Sequence, residues 1–306
     1  MMEHRAPAGI VCSLVTPFRR DQTPDLPALG ELIDAQGLTG VHGLFLLGTA
    51  GEGVLLSADE RKAVVEWAVE RVAGRIPVLV HCGAPDTETS ADLARHAGSL
   101  GVEAEASVAP YFFSYGGSAL FEHYRAIAEA APDIGHYVYE NPERVGYSVG
   151  VPTVVRLVRE VPGIRGVKDT GDSIGRIGRY LAELGDGIEV YAGNNEIVVP
   201  ALTIGARGAV SAIASAVPEL LVALYERWAE GKQQEAMDLQ RAVALLHRCI
   251  EGMPYLGAIK HLARRRGLPG GGMRAPQQAV TSEQAAEIDR RLDAVEELRP
   301  WLQPLG

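Results

Sequence analysis

Lysine is scarce in this chain. Of 29 basic side chains only four are lysine, namely Lys62, Lys168, Lys232 and Lys260, so each can be weighed individually. Cysteine is scarce as well, with only Cys12, Cys82 and Cys249. An odd, sparse set builds no disulfide framework, which makes a reducing compartment the default. No pair has CxxC spacing, and zinc-site patterns are absent. An excess of positive charge is missing too. The net charge is −10, whereas a nucleic-acid surface needs clustered Lys and Arg. No apolar run reaches the roughly 20 residues of a membrane helix. The most apolar region, 197–225, is broken by Pro200, Arg207 and Pro218. Residues 1–10 lack a charged start followed by a long apolar stretch, so no signal peptide is expected. These absences predict a soluble, cytoplasmic protein that engages neither nucleic acid nor membrane.

Glycine, by contrast, is plentiful, at 35 of 306 residues. Its scattered, aperiodic placement indicates many tight turns and excludes collagen and low complexity. The length is far above that at which a core becomes hard to bury. One domain of about 250 residues plus an extension fits it as well as two small domains.

Short β-rich runs at 9–15, 41–47, 76–81, 103–109, 135–139, 164–168, 188–192 and 208–212 alternate with helical patterns. Several runs are apolar at nearly every position, such as Leu44-Phe45-Leu46-Leu47, as strands buried on both faces are. A helix is predicted over 26–38. The clearest spans 57–72: Ser57 is the N-cap, Glu60 closes a capping box, and Val64, Val65, Ala68 and Val72 share one face. Later helices are expected to start near Thr87, Gly117, Val151, Asp172, Asn195 and Ala216. Eight strands with eight interleaved helices predict an α/β fold, the (β/α)8 TIM barrel. An open doubly wound sheet has the same local pattern. Eight units, and no GxGxxG after the first strand, favour the barrel. Beyond Tyr225 only helices are expected, at 231–250, 254–266 and 282–298, with a Gly/Pro-rich linker over 266–278. The predicted organisation is a barrel over 1–225 and an α-helical extension packed on it over 226–306.

Barrel chemistry lies at the carboxyl ends of the strands. Lys168 ends the sixth run, where an apolar surrounding disfavours an ammonium and lowers its pKa. A lysine that loses its proton is a nucleophile for a carbonyl and forms a Schiff base; the bland reading is a lysine snorkelling to the surface. The other three lysines read as surface residues: Lys62 on a polar helix face, Lys232 beside Glu230, Lys260 in a basic helical run with Arg264 to Arg266. Tyr139 ends the fifth run, next in the ring to Lys168, and a phenol beside an amine passes protons; alone it reads equally as a core aromatic. Gly48-Thr49-Ala50-Gly51 offers a hydroxyl and successive N–H groups, either an anion nest or a plain tight turn. Arg144 is a surface arginine or a bidentate clamp for a second carboxylate. His81 and Cys82 have no partner at metal spacing and read as packing residues.

Taken together, the chain resembles the dihydrodipicolinate synthase / N-acetylneuraminate lyase family of class I, Schiff-base aldolases. The matching pieces are Val15-Thr16-Pro17-Phe18, Gly48-Thr49-Ala50-Gly51-Glu52, Pro110-Tyr111, Tyr139-Glu140-Asn141-Pro142, Gly166-Val167-Lys168-Asp169, Gly193-Asn194-Asn195-Glu196 and Gly205-Ala206-Arg207-Gly208. The resemblance implies that Lys168 forms the imine with pyruvate or another 2-oxo acid and that Tyr139 is the relay phenol. Thr49 would supply the relay hydroxyl. The N–H groups of Thr49 and Ala50 would hold the pyruvoyl carboxylate, and Val210 would lie against the 2-oxo acid. Arg144 stands where the synthases bind the semialdehyde carboxylate, and Tyr111 and Phe112 occupy the aromatic pair of the fourth strand. No metal or cofactor is implied, and the family is typically a homotetramer of dimers sharing that aromatic loop.

Three departures matter. Ala50 replaces a hydroxyl residue. Phe112 replaces the tyrosine that reaches the neighbouring subunit's relay, and cannot carry a proton; either the relay runs through Tyr139, Thr49 and water, or Tyr111 or Tyr115 substitutes, or the chemistry differs. Glu140 replaces the usual Asn. Ala58, Pro85 and Thr89 at the positions of the lysine-inhibition site imply no lysine feedback. The favoured expectation is a lyase that cleaves a 4-hydroxy-2-oxo acid, sugar-derived, to pyruvate and an aldehyde. The alternatives are a dihydrodipicolinate synthase, a keto-deoxy acid dehydratase, and a non-catalytic 2-oxo acid sensor.

Overall fold

In the computed structural model, which describes residues 6–171 and 173–305, each expected β-rich run forms one strand. The strands are Gly9–Ser13 (β1), Gly43–Leu46 (β2), Val78–Val80 (β3), Ala104–Val108 (β4), Gly135–Glu140 (β5), Ile164–Asp169 (β6), Glu189–Ala192 (β7) and Gly208–Ser211 (β8). All are parallel, and β8 pairs with β1 to close the ring in sequence order. The chain is therefore a TIM barrel with a C-terminal helical part. Period-two alternation sorts its side chains. Val11, Phe45, Leu79, Ala106, Val108, Tyr137, Tyr139, Tyr191 and Val210 fill the inside, and the opposite strand faces pack under the helices.

The helices are Leu26–Leu38 (α1), Ala58–Val72 (α2), Thr87–Ser99 (α3), Gly117–Ala130 (α4), Pro142–Val145 (α5), Val151–Glu160 (α6), Ile174–Leu184 (α7), Val198–Thr203 (α8), Pro218–Ala229 (α9), Gln233–Ile250 (α10), Tyr255–Arg265 (α11) and Ser282–Asp293 (α12). The capping box of α2 is formed, with Ser57 and Glu60 bonding reciprocally, and Val64, Val65, Ala68 and Val72 are buried. The expected start at Asp172 lies outside the described residues; Ser173 caps α7 by accepting from the Arg176 N–H. One short helix was not anticipated. Asn141 followed by Pro142 opens α5, because proline at the first helical position loses no intrahelical bond. Among the described residues, no helix is long and apolar enough to cross a membrane.

Two expectations at the C-terminal end need correcting. Residues 266–278 are not a free linker. Gly272 pairs antiparallel with Phe18, its N–H donating to the Phe18 carbonyl at 2.7 Å, and Arg274 pairs with Glu60 at 2.8 Å. Lys260 is not a surface residue either: it is 1% exposed and points from α11 into the barrel wall. The basic run misleads because α11 is amphipathic, and its buried face includes Leu256, Ile259, Lys260 and Ala263 while Arg264 faces out.

Candidate active site

The carboxyl ends of the strands open into a cleft with two lobes, each of about 310 Å³, the scale of a small-molecule site. Lys168, Thr170, Asn195 and Val210 line one; Val54, Val108, Tyr111 and His81 line the other. Thr49, Tyr139, Asn141, Arg144, Tyr255 and Leu256 border both.

Lys168 and Tyr139 are register partners on β6 and β5. Both side chains point inward, and Lys168 Nζ sits 3.4 Å from the Tyr139 ring centroid. Gly166, two residues before Lys168, lets β6 close on β7: a Cβ there would fall 1.8 Å from the Glu189 carbonyl oxygen. Lys168 is 6% exposed, donates to Thr170 Oγ1 at 3.1 Å, and has no paired carboxylate among the described residues. Burial lowers its pKa, and the neighbouring Tyr139 and Asp169 oppose that without reversing it. Burial by itself would raise the Tyr139 phenol. The Lys168 charge, with hydrogen bonds to Lys168, Thr49 and Thr170, outweighs burial and brings the phenol down to about 8. Amine and phenol therefore titrate as a pair. Asp169, next along β6, faces the other way. It accepts from Arg176 Nε at 2.6 Å and from the Gly171 N–H at 2.8 Å, fixing the loop that follows Lys168.

Thr49 Oγ1 lies 3.0 Å from Tyr139 Oη. Its turn is tightly built. Leu47 and Glu52 adopt φ of +58° and +54°, conformations that cost about 1–3 kcal/mol and cluster at functional sites. Gly53 is required because a Cβ would fall 1.9 Å from the Leu47 carbonyl oxygen. The N–H groups of Thr49 and Ala50 have no partner among the described residues. Buried N–H groups without partners are rare, and two such donors on successive residues have the chemistry of an anion nest. Glu52, 2% exposed, is held by the Lys260 ammonium at 2.6 Å.

Val210 stands on the inner face of β8 at the Lys168 lobe. Arg144 borders both lobes from α5, exposed, and no carboxylate among the described residues pairs with it. Tyr111 lines the second lobe, half-buried. Phe112, expected at the substrate, does not line the cleft within this chain. It is 89% exposed at φ +81°, edge-on to Phe113, because the loop after β4 turns it outward. His81 is packed: Arg61 holds its carbonyl at 2.6 Å, and burial keeps its imidazole well below the usual range. Glu140 faces away from the cleft and accepts from the Val149 N–H at 3.0 Å, so its departure from the family pattern lies outside the cavity. Among the described residues no group of three His, Cys, Asp or Glu is placed to hold a metal ion.

Sequence reasoning missed three contributors. Asn141 was quoted in a motif without a role, and its Nδ2 donates to Tyr139 Oη at 3.0 Å. Its position two residues past Tyr139, on the same strand face, was a usable signal. Tyr255 and Leu256 close the cleft from α11, and no local pattern marks a helical residue for a distant site.

The model of the dihydrodipicolinate synthetase family matches residues 6–295 of this chain. A DapA-like lyase of Halobacterium salinarum is 33% identical over 288 residues, 93% of this chain and 92% of its own. A 4-hydroxy-tetrahydrodipicolinate synthase of Hyphomonas neptunium is 33% identical over 283 residues, 92% and 96% of the two chains. Among solved structures, YagE, a prophage protein of that synthase family from E. coli K12 in complex with pyruvate, superposes with a TM-score of 0.90 at 25% identity, covering 94% of this chain and 97% of its own.

Proposed function

The chain belongs to the dihydrodipicolinate synthetase family of class I aldolases and lyases, and from that premise we propose that it cleaves a 4-hydroxy-2-oxo acid, sugar-derived, reversibly to pyruvate and an aldehyde through an imine on Lys168. The observation that carries this reading is the buried Lys168 amine, without a carboxylate partner, against the Tyr139 ring. The unpartnered N–H groups of Thr49 and Ala50 would hold the 2-oxo acid carboxylate, with Val210 beneath its carbon chain.

The neutral amine adds to C2, and one of its two protons passes to the new alkoxide to give the carbinolamine. Tyr139 gives its proton to the carbinolamine oxygen, the C2–O bond breaks, water leaves, and the nitrogen lone pair closes the C=N bond. The protonated imine draws electrons from the C3–C4 bond. As that bond breaks, the C4 hydroxyl proton passes to the Tyr139 phenolate through Thr49, the aldehyde departs, and the pair remains as the enamine. Protonation at C3 and hydrolysis release pyruvate. The relay within this chain is Tyr139 and Thr49, so no hydroxyl at position 112 is invoked.

A second reading, condensation of pyruvate with aspartate semialdehyde, is favoured by Arg144, an unpaired guanidinium at the mouth that suits a distal carboxylate. A lactate dehydrogenase-coupled assay separates the two. Pyruvate release from 2-keto-3-deoxygluconate, with no consumption of pyruvate beside aspartate semialdehyde, is expected; the reverse result assigns the synthase. The oligomer implied by the family resemblance would cover Phe112 and Phe113, which are 89% and 63% exposed. Sedimentation equilibrium is expected to give a tetramer, with Phe112→Asp shifting it to smaller species.

A further inference from the structure

Among the partners of Tyr139 Oη are Thr49 Oγ1 and Asn141 Nδ2, each at 3.0 Å. They are not equivalent. A hydroxyl donates or accepts, whereas an amide nitrogen only donates. With Asn141 donating to Oη, the phenol's own hydrogen is directed to Thr49 or to the Lys168 amine. Once that proton has left, the phenolate accepts from Asn141 and Thr49 together. Asn141 is well held for this task. It is 5% exposed, its carbonyl accepts from the N–H groups of Arg144 and Val145, each at 3.1 Å, and Pro142 fixes the start of α5.

We propose that Asn141 is a positioning residue of the proton relay, whose amide N–H orients the Tyr139 hydroxyl and stabilises its phenolate in a chain whose aromatic loop offers no hydroxyl at position 112. This rests on the reading of Tyr139 as the relay phenol. The phenolate it stabilises is the species left when the carbinolamine takes the Tyr139 proton and loses water, and it persists until the C4 hydroxyl proton replaces it. The other ionisable groups around the phenol are Lys168 from β6, whose ammonium favours the phenolate, and the buried, neutral His81 from β3, ring centroids 5.9 Å apart. Tyr111 after β4, Arg144 on α5, Tyr255 on α11 and Glu52 after β2 also line the second lobe, with Glu52 matched by Lys260, and Glu143, Glu196 and His247 line the Lys168 lobe. Thr49 and Asn141 each lie 3.0 Å from Oη, and Thr170 is the further uncharged side chain that hydrogen-bonds the phenol.

The test is a pH titration of phenolate absorbance, taking the difference between the enzyme and its Tyr139→Phe variant to isolate Tyr139, alongside the pH profile of kcat/KM. In Asn141→Val the Tyr139 midpoint and the acid limb of kcat/KM are both expected to rise by about one pH unit or more, the effect of losing a hydrogen bond to a charged acceptor. Asn141→Asp, isosteric but acceptor-only when ionised, moves both further in the same direction. Activity returns on the alkaline side in each case, whereas a merely structural defect lowers it at every pH. An unchanged Tyr139 midpoint in both variants, with Tyr139→Phe inactive, overturns the role of Asn141 and leaves the relay reading intact. Full turnover by Tyr139→Phe removes the relay reading and this inference with it.

Discussion

A Lys168→Met enzyme is expected to fold, to melt no lower than the parent at pH 7, and to lose about 10⁵-fold or more in turnover, the scale of an intramolecular nucleophile's effective molarity. The two halves of this expectation have one cause. Burial depresses the folded-state pKa of Lys168 below its unfolded value. Between those two values the unfolded chain binds more protons, so stability rises with pH across that window. Below that window the whole penalty of burying the ammonium is present, and a methionine of similar length relieves it. The same penalty makes the free amine accessible for attack on C2. Borohydride reduction in the presence of pyruvate provides the chemical readout. The parent is expected to gain one pyruvate adduct on the Lys168 peptide, and Lys168→Met none. Lys260 is the internal control. Burial lowers its pKa too, but its nitrogen is engaged by the Thr16 carbonyl, Glu52 Oε1 and the Gly272 carbonyl at 2.7, 2.6 and 2.6 Å and does not line the cleft, so no adduct should form there. Label on any other lysine, or turnover by Lys168→Met, would remove the imine mechanism.

The barrel was legible because its signals are local and repeat. Eight apolar runs, each buried on both faces, need no tertiary knowledge to find. Their true ends fall one or two residues inside the apolar runs at several places, such as Val78–Val80 within 76–81, because apolar residues continue past the last ladder bond. The positions of Lys168, Tyr139 and Thr49 at strand ends followed from the same pattern, and the register Tyr139↔Lys168 brings two of them together. What stayed hidden depends on long-range packing. Lys260 and Arg264 look alike in sequence, four residues apart in a basic run. One turn of helix separates a fully buried ammonium from an exposed guanidinium. The buried one meets its partner Glu52 208 residues away in the chain. Phe112 shows the converse: the motif located its loop, but its backbone at φ +81° aims the ring out of this chain's cleft.

That Lys260–Glu52 pair supports the second large prediction. Both partners are essentially inaccessible, and removing one member of such a pair costs about 3–5 kcal/mol because the other charge stays buried. Lys260→Met is therefore expected to lower Tm by about 5–8 °C for a chain of this size. Glu52→Gln combined with Lys260→Met removes the unmatched charge and should recover much of the loss, which thermal melts of the two variants measure directly. The pair also reaches the chemistry. Glu52 ends the turn that carries the Thr49 and Ala50 N–H groups, its N–H donating to the Thr49 carbonyl at 3.1 Å, and Lys260 lies one turn beyond Tyr255 and Leu256 on α11. Loosening it displaces the carboxylate nest more than the Lys168–Tyr139 register, which the β5–β6 ladder holds independently. Below the melting transition, the KM for the 2-oxo acid should accordingly rise by more than kcat falls. A fall in kcat alone would mean that the pair supports the lysine instead of the nest.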